Sequence, residues 1–218
     1  MLRLIAANLN YSSWSMRAWL ALEVAGVDYR VFDVGMFTSP DWREKVLSFS
    51  GAAKVPILVN GNLTIHESLA ICEYVAELQP KANLWPQDLA LRARGRALSC
   101  EMLSSFSALR TAMPTNLRAR APGPPTSDAI SADIRRLFDI FESSLLTSSG
   151  DFLLGDFSIA DCMFFPVLTR FRTYAVPLPP RIAHYSQSLF NLPAAQKLEQ
   201  IAREAPAIAK YDELLTAK

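Results

Sequence analysis

The stretch Asn10-Tyr11-Ser12-Ser13-Trp14-Ser15-Met16-Arg17 lies between an apolar run, residues 2–9, and a helical pattern, residues 18–25. This order predicts a buried strand, a turn rich in hydroxyl groups, and a helix. The N-terminus of a helix presents unpaired N–H groups and the positive end of the helix dipole. A serine at that position either caps the helix or helps to hold an anion such as a thiolate. The turn alone leaves both alternatives open.

The residues that follow continue a compact α/β pattern up to about residue 79. Gly26 ends the first helix as a C-cap, and residues 28–34 alternate as a strand, which implies a parallel pair with a right-handed crossover. Ser39 and Pro40 are typical of an N-cap and a first helical position, and predict a short helix through Leu47. The Asn-Gly step between the apolar runs 55–59 and 63–65 predicts a hairpin, and residues 66–77 form a helical pattern. The order is therefore βαβαββα.

The second part of the chain carries only helical patterns. Residues 80–86 form a polar, proline-bounded linker, and residues 87–218 are predicted to be all-α. A long helix is expected from 87 to about 117, interrupted at Pro114. Ser158 and Asp161 have the spacing of a capping box and precede a helix so apolar that we expect it at the centre of its domain. The predicted fold class is α/β plus all-α.

The composition excludes several classes of protein. The chain has 218 residues, 50% of them hydrophobic and 20% charged, with a net charge of +1. It therefore has no basic excess for nucleic acid, and no apolar run approaches the roughly 18 residues of a membrane span. The N-terminus does not resemble a signal peptide. Two histidines and the absence of a CxxC motif argue against a metal site.

The three cysteines are sparse and distant from one another in sequence. Cys72, Cys100 and Cys162 each lie in a helical apolar pattern, so we expect three buried structural thiols. An odd, scattered set argues against a disulfide scaffold and indicates a reducing cytoplasm.

Three motifs taken in order resemble the soluble glutathione transferases. They are residues 12–17 (SSWSMR), residues 54–58 (KVPIL) and residues 64–71 (TIHESLAI), followed by an all-helical domain with residues 158–161 (SIAD). The resemblance covers nearly the whole chain and is closest in pattern to serine-type, zeta- and theta-like bacterial members. It implies an N-terminal thioredoxin-like domain, residues 1–79, that binds glutathione, and a helical domain, residues 87–218, that contributes the electrophile site.

The resemblance also assigns residues to the binding of glutathione. Val55 and Pro56 correspond to a cis Val-Pro pair whose backbone pairs with the cysteinyl part of glutathione like an added strand. Glu67 and Ser68 correspond to the pair that binds the γ-glutamyl end, Glu67 through the ammonium and Ser68 through the carboxylate. The alternatives are an ordinary turn proline and a simple helix cap. Lys54 either contacts the glycyl carboxylate or is a solvated surface lysine.

The first motif supplies the catalytic hydroxyl in serine-type members of the family. A serine is too weak a base to deprotonate a thiol, so its role is to donate a hydrogen bond to the thiolate beside the helix dipole. Lowering a thiol pKa from about 8.5 by ~2 units needs roughly 2.7 kcal/mol. A zeta-like alignment assigns this role to Ser12 and a theta-like alignment assigns it to Ser13; we favour Ser12, supported by Ser13. Trp14 replaces the cysteine of zeta and beta enzymes, which argues against cysteine-based thiol exchange and against maleylacetoacetate isomerisation.

The family architecture implies an electrophile pocket between the domains. Its expected residues are Tyr11, Phe37, Arg110 and Met113, with Arg110 either facing an acidic or carbonyl-bearing substrate or lying solvated on its helix. We expect Arg17 to form a structural salt bridge.

The function that these residues imply is glutathione conjugation, with glutathione as co-substrate, no metal, and a homodimeric, cytoplasmic enzyme. The alternatives are a glutathione-dependent isomerase or peroxidase, or a non-catalytic protein that binds glutathione or hydrophobic ligands.

Overall fold

The computed structural model describes residues 1–36 and 39–215. In the N-terminal part the elements are β1 (Leu2–Ala6), α1 (Ser13–Ala25), β2 (Tyr29–Asp33), α2 (Trp42–Leu47), β3 (Ile57–Asn60), β4 (Leu63–His66) and α3 (Ser68–Leu78). Only helices follow: α4 (Leu89–Ser104), α5 (Ser107–Ala112), α6 (Asp128–Thr147), α7 (Ile159–Tyr174), α8 (Pro180–Phe190), α9 (Pro193–Glu204) and α10 (Ala209–Glu213). The predicted βαβαββα order and the helical second part are confirmed, as is the fold class of a thioredoxin-like domain followed by helices.

The N-terminal strands form one mixed sheet in the order β2-β1-β3-β4. β1 pairs with β2 in parallel, with Leu4 opposite Val31, and with β3 in antiparallel orientation, with Leu4 opposite Leu58. The apolar β1 can occupy this central position because its residues from Leu4 to Ala6 are fully buried. The β3–β4 hairpin turns at Gly61, whose φ of +58° is the conformation that glycine favours at that position.

Helix α1 joins the sheet to the helical part of the molecule. It contacts α3 beside it and α7 of the second part, and nine of its thirteen residues are buried. It ends at Gly26, whose φ of +66° is the left-handed C-cap that the sequence predicted. The position of α1 between the two parts means that the turn at its N-terminus lies where they meet.

Helix α7 is the centre of the helical part, as predicted. All but one of its residues are buried, and its first turn is closed by the predicted capping box. The Asp161 carboxylate accepts hydrogen bonds from the Ser158 N–H at 2.8 Å and from the Ser158 hydroxyl at 2.9 Å. Burial raises the pKa of Asp161 to about 6.

Two predicted helix boundaries are wrong. Helix α2 begins at Trp42 rather than at Pro40, because Ser39 accepts the Trp42 N–H in a turn that precedes the helix. The single helix expected over residues 87–117 is divided before Pro114, at Phe106, which has a left-handed φ of +64°. The Leu109 N–H at the start of α5 is then capped by the carboxylate of Asp133 on α6, a tertiary contact that local sequence does not reveal.

The cysteines divide into two kinds. Cys72 and Cys162 are buried as expected, whereas Cys100 is exposed on α4, so the prediction of a third buried thiol is wrong. The predicted domain boundaries at residues 79 and 87 fall between α3 and α4 and stay predictions. None of the helices in residues 1–36 and 39–215 combines the length and the apolar character that crossing a bilayer requires.

Candidate functional site

A cavity of about 680 Å³ opens at the N-terminus of α1, against the loop before β3 and the start of α3. Six of the predicted site residues line it together: Ser12, Lys54, Val55, Pro56, Glu67 and Ser68. Its remaining wall is largely apolar and includes Trp14, Met36 and Trp42. Three segments that are distant in sequence therefore meet around one volume of the size of a small-molecule site.

Ser12 is the N-cap of α1 and is only 4% exposed. Its hydroxyl oxygen accepts the Ser15 N–H at 3.3 Å, and its own O–H donates to the Ser15 hydroxyl at 2.9 Å. The Ser15 hydroxyl in turn accepts the Ala7 N–H at the end of β1, at 3.1 Å. The hydroxyl of Ser12 is thus held at the positive end of the helix dipole, facing the cavity, with one donor that a stronger acceptor in the cavity could take over.

Ser13 has different surroundings. It is the first residue of α1, it does not line the cavity, and its oxygen lies 3.5 Å from Nη2 of Arg170 on α7. Arg170 is 5% exposed, and its Nε donates to the Met113 carbonyl at 2.8 Å. Burial, followed by the charge of Arg110, lowers the pKa of Arg170 to about 9. The two adjacent serines therefore face different environments, the cavity for Ser12 and the helical domain for Ser13.

The loop before β3 supplies backbone to the cavity. The Val55–Pro56 peptide is cis, which confirms the conformation that the family resemblance implied. Val55 is half-buried and lies just before β3 begins at Ile57, while the neighbouring Lys54 is exposed at the cavity margin. An extended segment beside a strand end can pair with the backbone of a bound peptide.

Glu67 and Ser68 form the third wall of the cavity, at the N-terminus of α3. Glu67 has φ +80° and ψ 131°, an unusual conformation for a residue with a side chain. Its carboxylate accepts the Leu69 N–H at 2.9 Å and the hydroxyl of the buried Ser68 at 3.1 Å. Strained backbone of this kind is concentrated at functional sites. The helix end can also receive the carboxylate of a ligand, because only part of its donor set is used.

Three of the residues predicted for an electrophile pocket, Tyr11, Arg110 and Met113, do not line this cavity. Tyr11 is 3% exposed, and its hydroxyl donates to Asp212 at 2.9 Å. Met113 is fully buried, and Arg110 donates to the carbonyls of Met102 and Leu103 at the end of α4. Phe37 lies outside the described residues.

Trp14 separates the cavity from a group of arginines. The guanidinium carbons of Arg17 and Arg110 lie 4.6 Å and 5.3 Å from its ring centroid. The predicted salt bridge of Arg17 is wrong: its Nε donates to the Met163 carbonyl at 3.1 Å, and no carboxylate in the described part of the chain pairs with it. Burial, then Arg110 and Arg170, lower the pKa of Arg17 to about 9.

Sequence reasoning missed Arg170, Met36 and Trp42 as neighbours of the site. Arg170 lies in the apolar pattern of α7, where the sequence gives no local sign of its partner. Met36 lies in a loop and Trp42 in a short helix. Across residues 1–36 and 39–215, no three His, Cys, Asp or Glu side chains come together as metal ligands would.

The chain is similar to known proteins in both of its parts. Residues 11–78 match the sequence model described as "Glutathione S-transferase, N-terminal domain", and residues 124–188 match "Glutathione S-transferase, C-terminal domain". Together the matches cover more than half of the chain and confirm the resemblance drawn from the three motifs.

Individual relatives agree with the two domain matches. The chain is 29% identical over 191 residues to maleylacetoacetate isomerase of Rattus norvegicus, covering 85% of this chain and 87% of that protein. It is 26% identical over 203 residues to glutathione S-transferase Z1 of Arabidopsis thaliana, covering 90% and 91%. A glutathione transferase homologue from Burkholderia, solved with bound glutathione, superposes with a TM-score of 0.73 at 24% identity, covering 94% of this chain and 99% of that chain.

Proposed function

The chain belongs to the glutathione S-transferase family, and we propose that it binds glutathione in the cavity beside Ser12 and activates it for attack on a small electrophile. The observation that carries this proposal is the meeting of Ser12, Val55 and the Glu67–Ser68 pair around one volume. In this proposal the three walls receive the three parts of a tripeptide: the thiol at the start of α1, the cysteinyl backbone along Val55, and the γ-glutamyl end at α3. Lys54 lies at the margin, where a glycyl carboxylate would be.

Ser12 stabilises the thiolate rather than acting as a base. When the cysteinyl sulfur enters, the thiol proton leaves to solvent, and the Ser12 O–H turns from the Ser15 hydroxyl to the sulfur anion. A charge-assisted hydrogen bond is stronger than the neutral one it replaces. The helix N-terminus adds to the stabilisation.

The chemical step then needs only the thiolate and the electrophile. With an aryl chloride, a C–S bond forms, the C–Cl bond breaks, and chloride leaves with the electron pair. The apolar wall that includes Trp14 and Trp42 favours an electrophile with a hydrophobic body.

The test compares Ser12→Ala with Ser13→Ala, two adjacent substitutions that remove the same group. We expect Ser12→Ala to raise the pKa of the bound glutathione thiol towards 8.5 and to reduce turnover of 1-chloro-2,4-dinitrobenzene by about 10- to 100-fold. Ser13→Ala should have a smaller effect on both. The measurements are ultraviolet titration of the bound thiolate and steady-state kinetics. Retention of the wild-type thiolate pKa and turnover by both variants would exclude the mechanism, and a larger effect at Ser13 would reassign the donor.

A glutathione-dependent isomerase is the second candidate. The names of the rat relative and others support it, and so does the arginine group behind Trp14, which would favour an acidic substrate. In such a reaction the thiolate adds to a C=C bond, the resulting single bond rotates, and the thiolate leaves again, so glutathione is not consumed. Turnover of maleylacetoacetate without loss of glutathione would select this function. Saturable glutathione binding without turnover of any electrophile or peroxide would instead select a binding protein.

The proposal extends to the cellular compartment in which the protein works. The three cysteines are unpaired in the structure, which supports a reducing, cytoplasmic compartment.

A further inference from the structure

The C-terminal segment, residues 205–215, lies against the turn that carries Ser12. The Ile208 N–H donates to the Tyr11 hydroxyl at 3.0 Å, and the Asn8 side chain donates to the Pro206 carbonyl at 3.1 Å. The ring of Tyr211 lies 5.5 Å from that of Tyr11. The segment therefore covers the residue that directly precedes Ser12.

A set of donors beneath the segment converges on the carboxylate of Asp212. The Tyr11 hydroxyl donates to it at 2.9 Å and Nδ2 of Asn116 donates at 2.8 Å. Nη2 of Arg118 lies 3.7 Å from its second oxygen. We call Tyr11, Asn116 and Arg118 the carboxylate cradle.

The cradle is a preorganised site rather than a chance surface contact. With the segment in place, Tyr11 is 3% exposed and Asn116 is 2% exposed. The Asn116 side-chain oxygen accepts a hydrogen bond from Nδ2 of the fully buried Asn10 at 2.9 Å, which leaves its amide N–H groups directed at the carboxylate. Outside the segment, the Arg118 guanidinium donates to the Tyr11 hydroxyl at 2.9 Å and to the Ala202 carbonyl of α9 at 3.4 Å. The cradle therefore offers a hydroxyl donor, an amide donor and a guanidinium cation, a combination that binds a carboxylate well.

The segment that fills the cradle is weakly anchored by comparison. No residue of α10 is buried, and Leu214 is 48% exposed. Its attachment consists of the polar contacts above, the ring contact of Tyr211 and the packing of the half-buried Leu215 against the core. Short, largely exposed elements of this kind open at a small cost in free energy. The cradle residues are buried, whereas the segment that carries Asp212 is largely exposed and can detach. A free carboxylate can therefore compete with Asp212 for the cradle by binding when the segment is open.

We propose that the carboxylate cradle is a binding site for the carboxylate group of a ligand, which the chain's own Asp212 occupies until that ligand displaces the C-terminal segment. The ligand carboxylate belongs either to the electrophile or to a free small carboxylate that acts as an effector. The first source rests on the proposed function, since the electrophile would have to reach from the cradle at Tyr11 to the thiolate beside the adjacent Ser12.

The first test uses acetate as the probe and needs no glutathione. In Asp212→Ala the cradle is empty, so sodium acetate should raise the midpoint of thermal unfolding saturably, whereas sodium chloride at equal ionic strength should not. The wild-type protein should need at least about tenfold more acetate, because its internal carboxylate competes at a high effective concentration. The double variant Asp212→Ala with Tyr11→Phe is the matched control, and its acetate response should be at least about tenfold weaker. Equal responses to acetate and chloride, or an undiminished response in the double variant, would overturn the proposal.

The unaltered protein provides a second measurement. Lys210 is exposed on α10, so trypsin can cut after it when the segment is released. Acetate should accelerate this cleavage in the wild-type chain relative to chloride by several-fold, because it displaces Asp212. Asp212→Asn, which keeps a neutral acceptor, should be cut faster than wild type without acetate. Identical cleavage rates in acetate and chloride would count against displacement even if Asp212→Ala were too unstable to study.

The third measurement separates the two sources of the carboxylate. The kcat/KM for conjugation with glutathione is compared for two electrophiles, 4-chloro-3,5-dinitrobenzoate and its methyl ester. If the electrophile supplies the carboxylate, Asp212→Asn should raise kcat/KM for the acid relative to the ester by about tenfold. An unchanged ratio with acetate binding retained assigns the cradle to free carboxylates. Failure of both compounds to react would count against the proposed function, while the acetate result would still decide the cradle.

Discussion

Asp161 is a fully buried carboxylate that accepts four hydrogen bonds. Beside the two from Ser158, it accepts the Leu153 N–H at 3.2 Å and the Tyr185 hydroxyl at 2.9 Å. Asp161→Asn would direct an NH2 group at two of these donors and leave them unpaired. We expect it to lower the free energy of unfolding at pH 7 by about 2–4 kcal/mol, measured by urea denaturation. Asp156→Asn, the same change at a nearby exposed position, should stay within about 0.5 kcal/mol of wild type.

The same residue gives the stability a pH dependence with a definite sign. Burial raises the pKa of Asp161 from 3.8 to about 6 in the folded chain. Between these values the folded state binds more protons than the unfolded state, so the free energy of unfolding falls as the pH rises. We therefore expect the stability of wild type minus that of Asp161→Asn to decrease from about pH 4 to about pH 6 and to level off on either side. A difference that rises with pH would contradict this assignment. The comparison removes titrations that the two proteins share.

Individual residues differ in how far sequence alone could assign them. The position of Ser12 as the N-cap of α1 could be predicted, because serine is a preferred residue at a helix N-terminus. Its role towards glutathione stays a prediction. Arg17 could not, because an arginine on an apolar helix suggests an acidic partner, and its actual acceptor is the backbone carbonyl of Met163. Two partners of Tyr11, Ile208 and Asp212, lie 197 and 201 residues away in the C-terminal segment, and no local sequence pattern predicts such contacts.

At the scale of elements, α4 contains a glycine whose lack of a side chain is required by packing. A Cβ on Gly95 would lie 2.5 Å from a methyl carbon of Leu154 and 2.6 Å from the ring of Trp85. Helix propensity favours alanine over glycine by about 1 kcal/mol, but overpacking costs about 1–3 kcal/mol. We expect Gly95→Ala to be destabilising despite its better propensity, with chemical denaturation as the measurement. A gain in stability would show that α4 can move away from Trp85.

At the C-terminus of α7, in contrast to Gly95, replacing an alanine with glycine should stabilise the protein. Ala175 ends the helix with a left-handed φ of +55° and an exposed side chain. Glycine adopts this conformation without steric cost, so Ala175→Gly should raise the free energy of unfolding by roughly 0.5–1 kcal/mol. Ala129→Gly, at an exposed position in the first turn of α6, should lower it by a similar amount. The same sign for both substitutions in thermal or urea unfolding would refute the argument.

Elements were predictable where local signals agree and unpredictable where tertiary contacts decide. The hairpin at Gly61, the C-cap at Gly26 and the capping box before α7 follow from short-range chemistry that operates in isolation. The break at Phe106 does not, because it places a bulky residue in a left-handed conformation that is stabilised from outside by Asp133. Regular spacing of apolar residues continues through such a break, so periodicity predicts one helix.

At the scale of the whole molecule, the two parts are joined by charged and polar contacts across α1 and α3. Arg96 of α4 forms a two-point ion pair with Glu73 of α3, whose carboxylate also accepts the Trp85 indole N–H. The docking of the helical part determines what surrounds the first turn of α1, because it brings Arg170 to Ser13 and Arg110 to Trp14. The order of the elements could be predicted from sequence, whereas their docking could not, since its contacts join residues far apart in the chain.

Exposed leucines in both parts of the chain lead to the last prediction, a homodimer in which one domain packs against the partner's other domain. Leu63 and Leu78 of the N-terminal part are 46% and 42% exposed, and Leu89 at the start of α4 is 74% exposed. A stable dimer must bury roughly 1,200–2,000 Å² with an apolar centre. Sedimentation at micromolar concentration should give twice the 24.2 kDa of the chain. Leu89→Glu should weaken the dimer at least about tenfold, while Leu146→Glu, at a 68% exposed position on α6, should not. A wild-type monomer would remove the prediction, and equal effects of the two substitutions would place the interface elsewhere.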